Sequence, residues 1–125
     1  MKLNLLKKPR KFHVGKNNTP MKDFGKIYLS DDEMVFFNFL KKNNNYDFTK
    51  KKWVFYASQS IGQRVKSNNF IMYLVKNLVS GRFYLFAKHT NKSKEFKRYL
   101  KEEKLKIILK FSEKNLLKIQ ELFKI

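Results

Sequence analysis

Two kinds of hydrophobic spacing divide this sequence, and the boundary between them sets its fold class. Up to about residue 92, apolar residues come in short runs of strand length separated by polar turns. From Ser93 onward they recur at helical spacing, with one further strand-like interruption.

Lys11–Val14 reads as a short strand, closed by Gly15 and the polar stretch Lys16–Pro20. Asp23-Phe24-Gly25 is a turn, after which Lys26–Leu29 alternates as a second strand. Ser30–Glu33 is a polar turn, Met34–Leu40 an aromatic-rich strand, and Lys41–Asn45 a reversal into Tyr46–Thr49. Trp53–Ala57 and Phe70–Val75 are continuous apolar runs, which predicts strands covered on both faces. A polar loop, Ser58–Asn69, separates them. Leu78–Gly81 turns the chain so that Arg82–Lys88 pairs antiparallel with Phe70–Asn77.

Ser93 and Glu95 then open a helix with Phe96, Tyr99 and Leu100 on one face. Within residues 104–111, Leu105, Ile107, Leu109 and Phe111 alternate with Lys104, Lys106 and Lys110, so a strand is expected there instead of one long helix. Ser112 caps a last helix with Glu113 in its first turn, Lys124 in its last, and a buried stripe of Leu116, Ile119, Leu122 and Phe123. Antiparallel strands followed by helices make an α+β domain. The expected architecture is one domain over residues 11–125, preceded by a basic arm over residues 1–10 that stops at Pro9. It has six to eight short strands in a mostly antiparallel, open or barrel-like sheet, then two C-terminal helices.

Composition bounds the functions such a domain can carry. A chain of 125 residues, 42% hydrophobic and 16% aromatic, is long enough for one core and too apolar for a disordered basic tail. It has no cysteine, which excludes disulfides, thiol nucleophiles and thiolate zinc sites. No apolar run reaches the roughly 18 residues of a membrane span, and the N-terminal stretch lacks a signal-peptide core, so a cytoplasmic protein is expected.

The formal net charge is +19, from 25 Lys and 4 Arg against 10 acids. Such a surplus favours phosphate partners. The abundance of Lys together with 12 Asn and 13 Phe also follows from AT-rich codons, and phosphate recognition more often selects Arg.

Catalytic signatures are scarce. His13 and His89 are the only histidines, each at a strand end. Asp31, Asp32 and Glu33 sit in a turn without calcium-loop spacing. There is no nucleophile elbow, P-loop or dinucleotide fingerprint. No catalytic residue, metal or cofactor is expected.

Binding signals are stronger. Lys50, Lys51 and Lys52 run into Trp53, Phe55 and Tyr56, and Arg82 precedes Phe83, Tyr84 and Phe86. Alternate residues of a strand share a face, so basic and aromatic side chains could project together and hold a single strand of nucleic acid. The competing reading places these aromatics in the core. Around Arg82 the glycine that an RNP1 strand requires is Phe83, so that motif fails. The loop carrying Ser58, Ser60, Gly62 and Arg64 supplies hydroxyls, a glycine and a guanidinium suited to a phosphate, carboxylate or sugar.

The blocks KFHVG, DFGKIYL, KKWVFYASQSIGQR, FIMYLVKN and FKRYL, in that order over roughly residues 10–110, resemble a group of small uncharacterised bacterial proteins. That group is associated with surface-polysaccharide and sugar biosynthesis genes. The resemblance implies a pathway neighbourhood, and it directs attention to Trp53, Tyr56, Ser58, Ser60 and Arg64.

Three functional expectations follow. The first is a non-catalytic accessory or binding protein near surface-carbohydrate biosynthesis, recognising an anionic ligand (sugar, nucleotide sugar or phosphate) or a partner protein. The second is a basic module for single-stranded nucleic acid. The third is a small enzyme using Ser60, Arg64 and His89. The candidate site residues are Trp53, Tyr56, Ser58, Ser60, Arg64, Arg82 and His89, with Lys50, Lys51 and Lys52 as a basic surface.

Overall fold

Alternation of Leu3 and Leu5 with polar neighbours holds the beginning of the chain extended, and a computed structural model shows one long strand there, Lys2–Val14 (β1). The structure describes residues 1–39, 45–57, 60–61, 65–66 and 69–124. Gly15, with φ of 76°, and Asn18, with φ of 50°, turn the chain, and the Asn18 amide donates to the Gly15 carbonyl. Thr19–Tyr28 (β2) returns antiparallel, pairing Leu3 with Ile27 and Leu5 with Gly25, then Arg10 with Asp23 and Val14 with Thr19. The register shifts between Leu5 and Arg10. Pro9 falls in that bulge, where its missing amide costs no ladder bond.

The expected arm over residues 1–10 is therefore the first half of a strand. The expected strands Lys11–Val14 and Lys26–Leu29 are parts of the two long strands β1 and β2.

The chain divides into two compact units, residues 1–35 with 48–57 and residues 36–47 with 58–125. Strands Met34–Asn38 (β3) and Asn45–Lys50 (β4) run from one unit into the other, and Phe55–Tyr56 (β5) completes a sheet of order β3-β4-β5. In the first unit, Ser30–Glu33 makes the expected turn. Asp32 has φ of 67°, and the Glu33 side chain accepts from the Ser30 amide. The continuous run at residues 53–57 was expected to be covered on both faces. Only Phe55 and Tyr56 are in a strand, and both are exposed. They form the end of a hairpin, paired with Thr49 and Lys50 of β4.

The second unit is built on a sheet of order β7-β6-β8: Phe70–Asn77 (β6), Phe83–His89 (β7) and Leu105–Lys110 (β8). The strand expected within residues 104–111 is present as Leu105–Lys110, and β6 pairs with β7 as the sequence predicts. Ser93–Glu102 (α1) lays Phe96 against Tyr73 and Phe86 on one sheet face. Phe70 and Met72 on the other face join Val65 in the buried cluster, with Tyr46, Ile61 and Phe111 packed around it. Val75 is fully buried.

Glu113–Leu122 (α2) is capped as expected by Ser112, whose hydroxyl accepts from the Asn115 amide at 3.2 Å. Its expected stripe holds for the half-buried Leu116 and Ile119 and fails for Leu122 and Phe123, which lie on the last turn and are exposed. Lys124 lies past the helix end. The α+β class stands, with eight strands among the described residues in three open sheets instead of a barrel.

Candidate nucleic-acid interface

Charge is unevenly distributed along the chain. Residues 1–28 hold eight Lys and Arg against one acid, a net +7, while the other 97 residues carry +12. These 28 residues form the β1–β2 ribbon. A two-stranded ribbon has no interior, and all but three of its side chains between Lys2 and Tyr28 are exposed.

The register sorts those side chains by face. At the open end, Lys2 stands opposite Tyr28 and Asn4 opposite Lys26, which puts two ammonium groups, an amide and a phenol ring on one face. Leu3, Leu5 and Ile27 share the other, and all three remain exposed. Beyond the bulge, Lys11 opposes Lys22 and His13 opposes Pro20.

The single acid of the ribbon is tied up internally. Asp23 Oδ1 accepts from the Gly25 amide at 2.9 Å, and Oδ2 accepts from Arg10 at 3.3 Å. The Gly25 amide and the Arg10 guanidinium hold this carboxyl below its usual range. Arg10 also lies 4.5 Å from the Phe12 ring centre.

The predicted basic run Lys50–Lys52 is arranged differently. Lys50 pairs with Asp31, and Lys51 donates to Asp32 at 2.8 Å, which raises the Lys51 pKa. The turn Ser30–Glu33 thus neutralises two of the three lysines. Trp53 stands at the tip of the β4–β5 hairpin, 79% exposed, where the Lys51 amide donates to the Val54 carbonyl across the turn. Tyr56 is exposed on β5, opposite Thr49.

The remaining predicted site residues lie in the second unit. His89 is buried, its ring stacked on Phe39 at 5.1 Å and edge-on to Phe70 at 5.5 Å. Its Nδ1 accepts from the Asn91 amide at 3.2 Å, capping the 3₁₀ turn Thr90–Lys92. Arg82 is exposed at the opposite end of β7, about 20 Å of strand away, so these two side chains do not converge. The Ser60 carbonyl accepts from the Val65 amide at 3.0 Å, and Val65 is buried. Ser58 and Arg64 lie outside the described residues. Sequence reasoning passed over Val65, a lone apolar residue in a polar stretch, and Lys2, Lys26 and Tyr28, whose neighbourhood depends on a cross-strand register.

A cavity of about 220 Å³ opens beside the start of α2, lined by Lys66, Thr90, Lys110 and Ser112 among others. Among the described residues, no cluster of three or more His, Asp and Glu could hold a metal ion, and no helix is long and apolar enough to cross a membrane. No protein-family model, curated protein or solved structure matches the chain.

Proposed function

We propose that this chain is a non-catalytic binding protein for single-stranded nucleic acid, with the β1–β2 ribbon as its contact surface. The observation that carries the reading is the register Lys2 opposite Tyr28 beside Asn4 opposite Lys26. A phenol ring flanked by ammonium groups is the combination that stacks on a base and pairs with its neighbouring phosphates. The +7 charge of residues 1–28 provides attraction along the ribbon. Fluorescence anisotropy with a labelled oligothymidylate tests it. Affinity should fall steeply between 50 and 200 mM salt, and Tyr28→Ala should cost about 1–3 kcal/mol of binding at fixed salt. Absence of binding at 50 mM salt overturns the reading, as does an equal loss for Lys106→Gln on β8.

The 220 Å³ cavity supports a second reading, an accessory protein that holds a small anionic ligand such as a nucleotide sugar. The resemblance to proteins associated with surface-carbohydrate genes points the same way. A thermal-shift series with nucleotide sugars separates the two, since a ligand at 100 times its Kd adds about 2.7 kcal/mol of stability.

A further inference from the structure

The second unit carries a groove that neither reading uses. Strand β7 is an outer strand of its sheet, and an open groove of about 590 Å³ follows it. One wall is the continuous segment Leu85–His89, the other is Glu95, Phe96 and Tyr99 of α1 with Lys92 of the 3₁₀ turn before it, and Phe39, stacked on His89, stands at that end of the groove. A groove lined by every residue of an edge segment runs along the backbone, whereas a pocket at a side-chain cluster would touch alternate residues only.

The hydrogen-bond parity of β7 gives that edge a chemical direction. The Asn77 amide donates to Arg82, and the Thr90 amide to Asn69, so bonded pairs fall at 77/82, 75/84, 73/86, 71/88 and 69/90. The Phe111 amide donates to the Met72 carbonyl, so the intervening residues of β6 point their amides and carbonyls toward β8. By the same alternation, Leu85 and Ala87 turn their amides and carbonyls away from β6 and into the groove. No described strand lies on that side.

From this edge we infer that β7 binds an extended, acidic peptide segment of a partner protein as a fourth strand of the sheet. Main-chain bonds form to Leu85 and Ala87, and a strand added there alternates its side chains between the two faces. On the face under α1, its neighbours are Phe86 and Lys88. An apolar residue meets Phe86, Phe96 and Tyr99. An acidic residue two positions along the peptide meets Lys88 and, from the 3₁₀ turn before α1, Lys92.

Charge complementarity selects this occupant. Lys88 is half-buried, donating to Ser93 Oγ at 2.8 Å and lying 5.7 Å from the Tyr73 and Phe96 ring centres. Burial, then Lys110 and Lys97, lower its pKa, so a carboxylate brought to it relieves an unfavourable charge. Among the described lining residues Glu95 is the one acid, against two lysines. A second copy of this chain is the poorer occupant, because it would bring its own Lys88 and Lys92 and a charge of +19 against the same edge.

The inference goes beyond the proposed nucleic-acid reading and uses none of its residues, so each can fail alone. The probe is a fluorescein-labelled seven-residue peptide, capped at both ends and otherwise threonine, with valine third and glutamate fifth. Its control moves the glutamate to fourth, which leaves composition and charge unchanged and sends the two side chains to opposite faces. At 150 mM salt the probe should bind at least tenfold more tightly than the control. In an NMR titration the shifted and exchange-protected amides should be those of Leu85 and Ala87.

Ala87→Pro removes one outward-facing amide while leaving the bonds to β6, so it should abolish probe binding with unchanged circular dichroism. N-methylation of alternate peptide amides should abolish it with the protein unaltered. Equal binding of probe and control overturns the inference. So does binding that survives N-methylation at every position, or amide shifts confined to the β1–β2 ribbon.

Discussion

Gly25 lies directly under the carbonyl of Asn4. A Cβ built on Gly25 would stand 2.2 Å from the Asn4 oxygen, and the residue has φ of 116°. Both facts exclude a side chain, one by contact with rigid backbone and the other by conformation. Gly25→Ala should therefore open the β1–β2 ribbon at its bulge. Limited proteolysis is expected to cut the variant within residues 1–28 far faster than the parent chain. The circular-dichroism signal of α1 and α2 should be unchanged. A variant cut no faster than the parent would show that the ribbon does not need the close approach.

Asp23 makes the same bulge sensitive to acid. Its carboxylate accepts from the Gly25 amide and pairs with Arg10, and its pKa in the folded chain is lowered. A depressed carboxylate stabilises the fold above its unfolded value of about 3.9, and that contribution is lost as pH falls through the lower folded value. Proteolytic protection of the ribbon should be flat from neutral pH to about pH 4.5 and decline below pH 4. Asp23→Asn should remove that decline. A variant with the parent's acid limb would assign it to another group.

His89 should behave as a structural ring. Replacement by Ala removes its stack on Phe39 and its edge contact with Phe70, and frees the Asn91 amide. The expected loss is about 2–4 kcal/mol in urea denaturation. His89→Phe keeps the ring and loses the cap, so it should recover most of that difference. A His89→Ala chain of parental stability would free the residue for a chemical role.

Val75 is the tightest point of the described core, with no exposed surface at all. Val75→Ala deletes two methyl groups from the middle of β6 and should cost about 2 kcal/mol by transfer and cavity terms together. Leu122→Ala, on a side chain 76% exposed at the end of α2, should change stability by less than about 0.5 kcal/mol. Equal losses would mean that the last turn of α2 is packed in solution.

The contrast between Val75 and Leu122 also explains what could be read before the structure was known. The alternation of residues 105–111 and the pairing of β6 with β7 were legible because strand period and turn position are local properties of the chain. The long ribbon was not legible: Pro9 and Gly25 look like breaks when taken singly, and only their common place in one bulge makes them compatible with continuous strands. Leu122 and Phe123 fit a helical stripe, but periodicity says which face is apolar and not whether anything covers it. The patch of Lys2, Lys26 and Tyr28 was out of reach for the same reason, since its members are joined by a register that no local pattern encodes. The run Lys50–Lys52 misled in the opposite direction, because Asp31 and Asp32 come to it from 19 residues away.

That last arrangement separates the two basic clusters by experiment. Lys50 and Lys51 already hold carboxylates, so a phosphate must displace an ion pair to reach them, whereas Asp23, the carboxylate whose charge reaches Lys26, is itself held by the Gly25 amide and Arg10. Each lysine that neutralises a phosphate of a single strand contributes about −0.7 to the slope of log affinity against log salt. Lys2→Gln with Lys26→Gln should therefore reduce the slope by about 1.4, while Lys50→Gln with Lys51→Gln leaves it unchanged. Anisotropy titrations of a labelled oligothymidylate at four salt concentrations give both slopes. The opposite result would move the interface from the ribbon to the β4–β5 hairpin, beside Trp53.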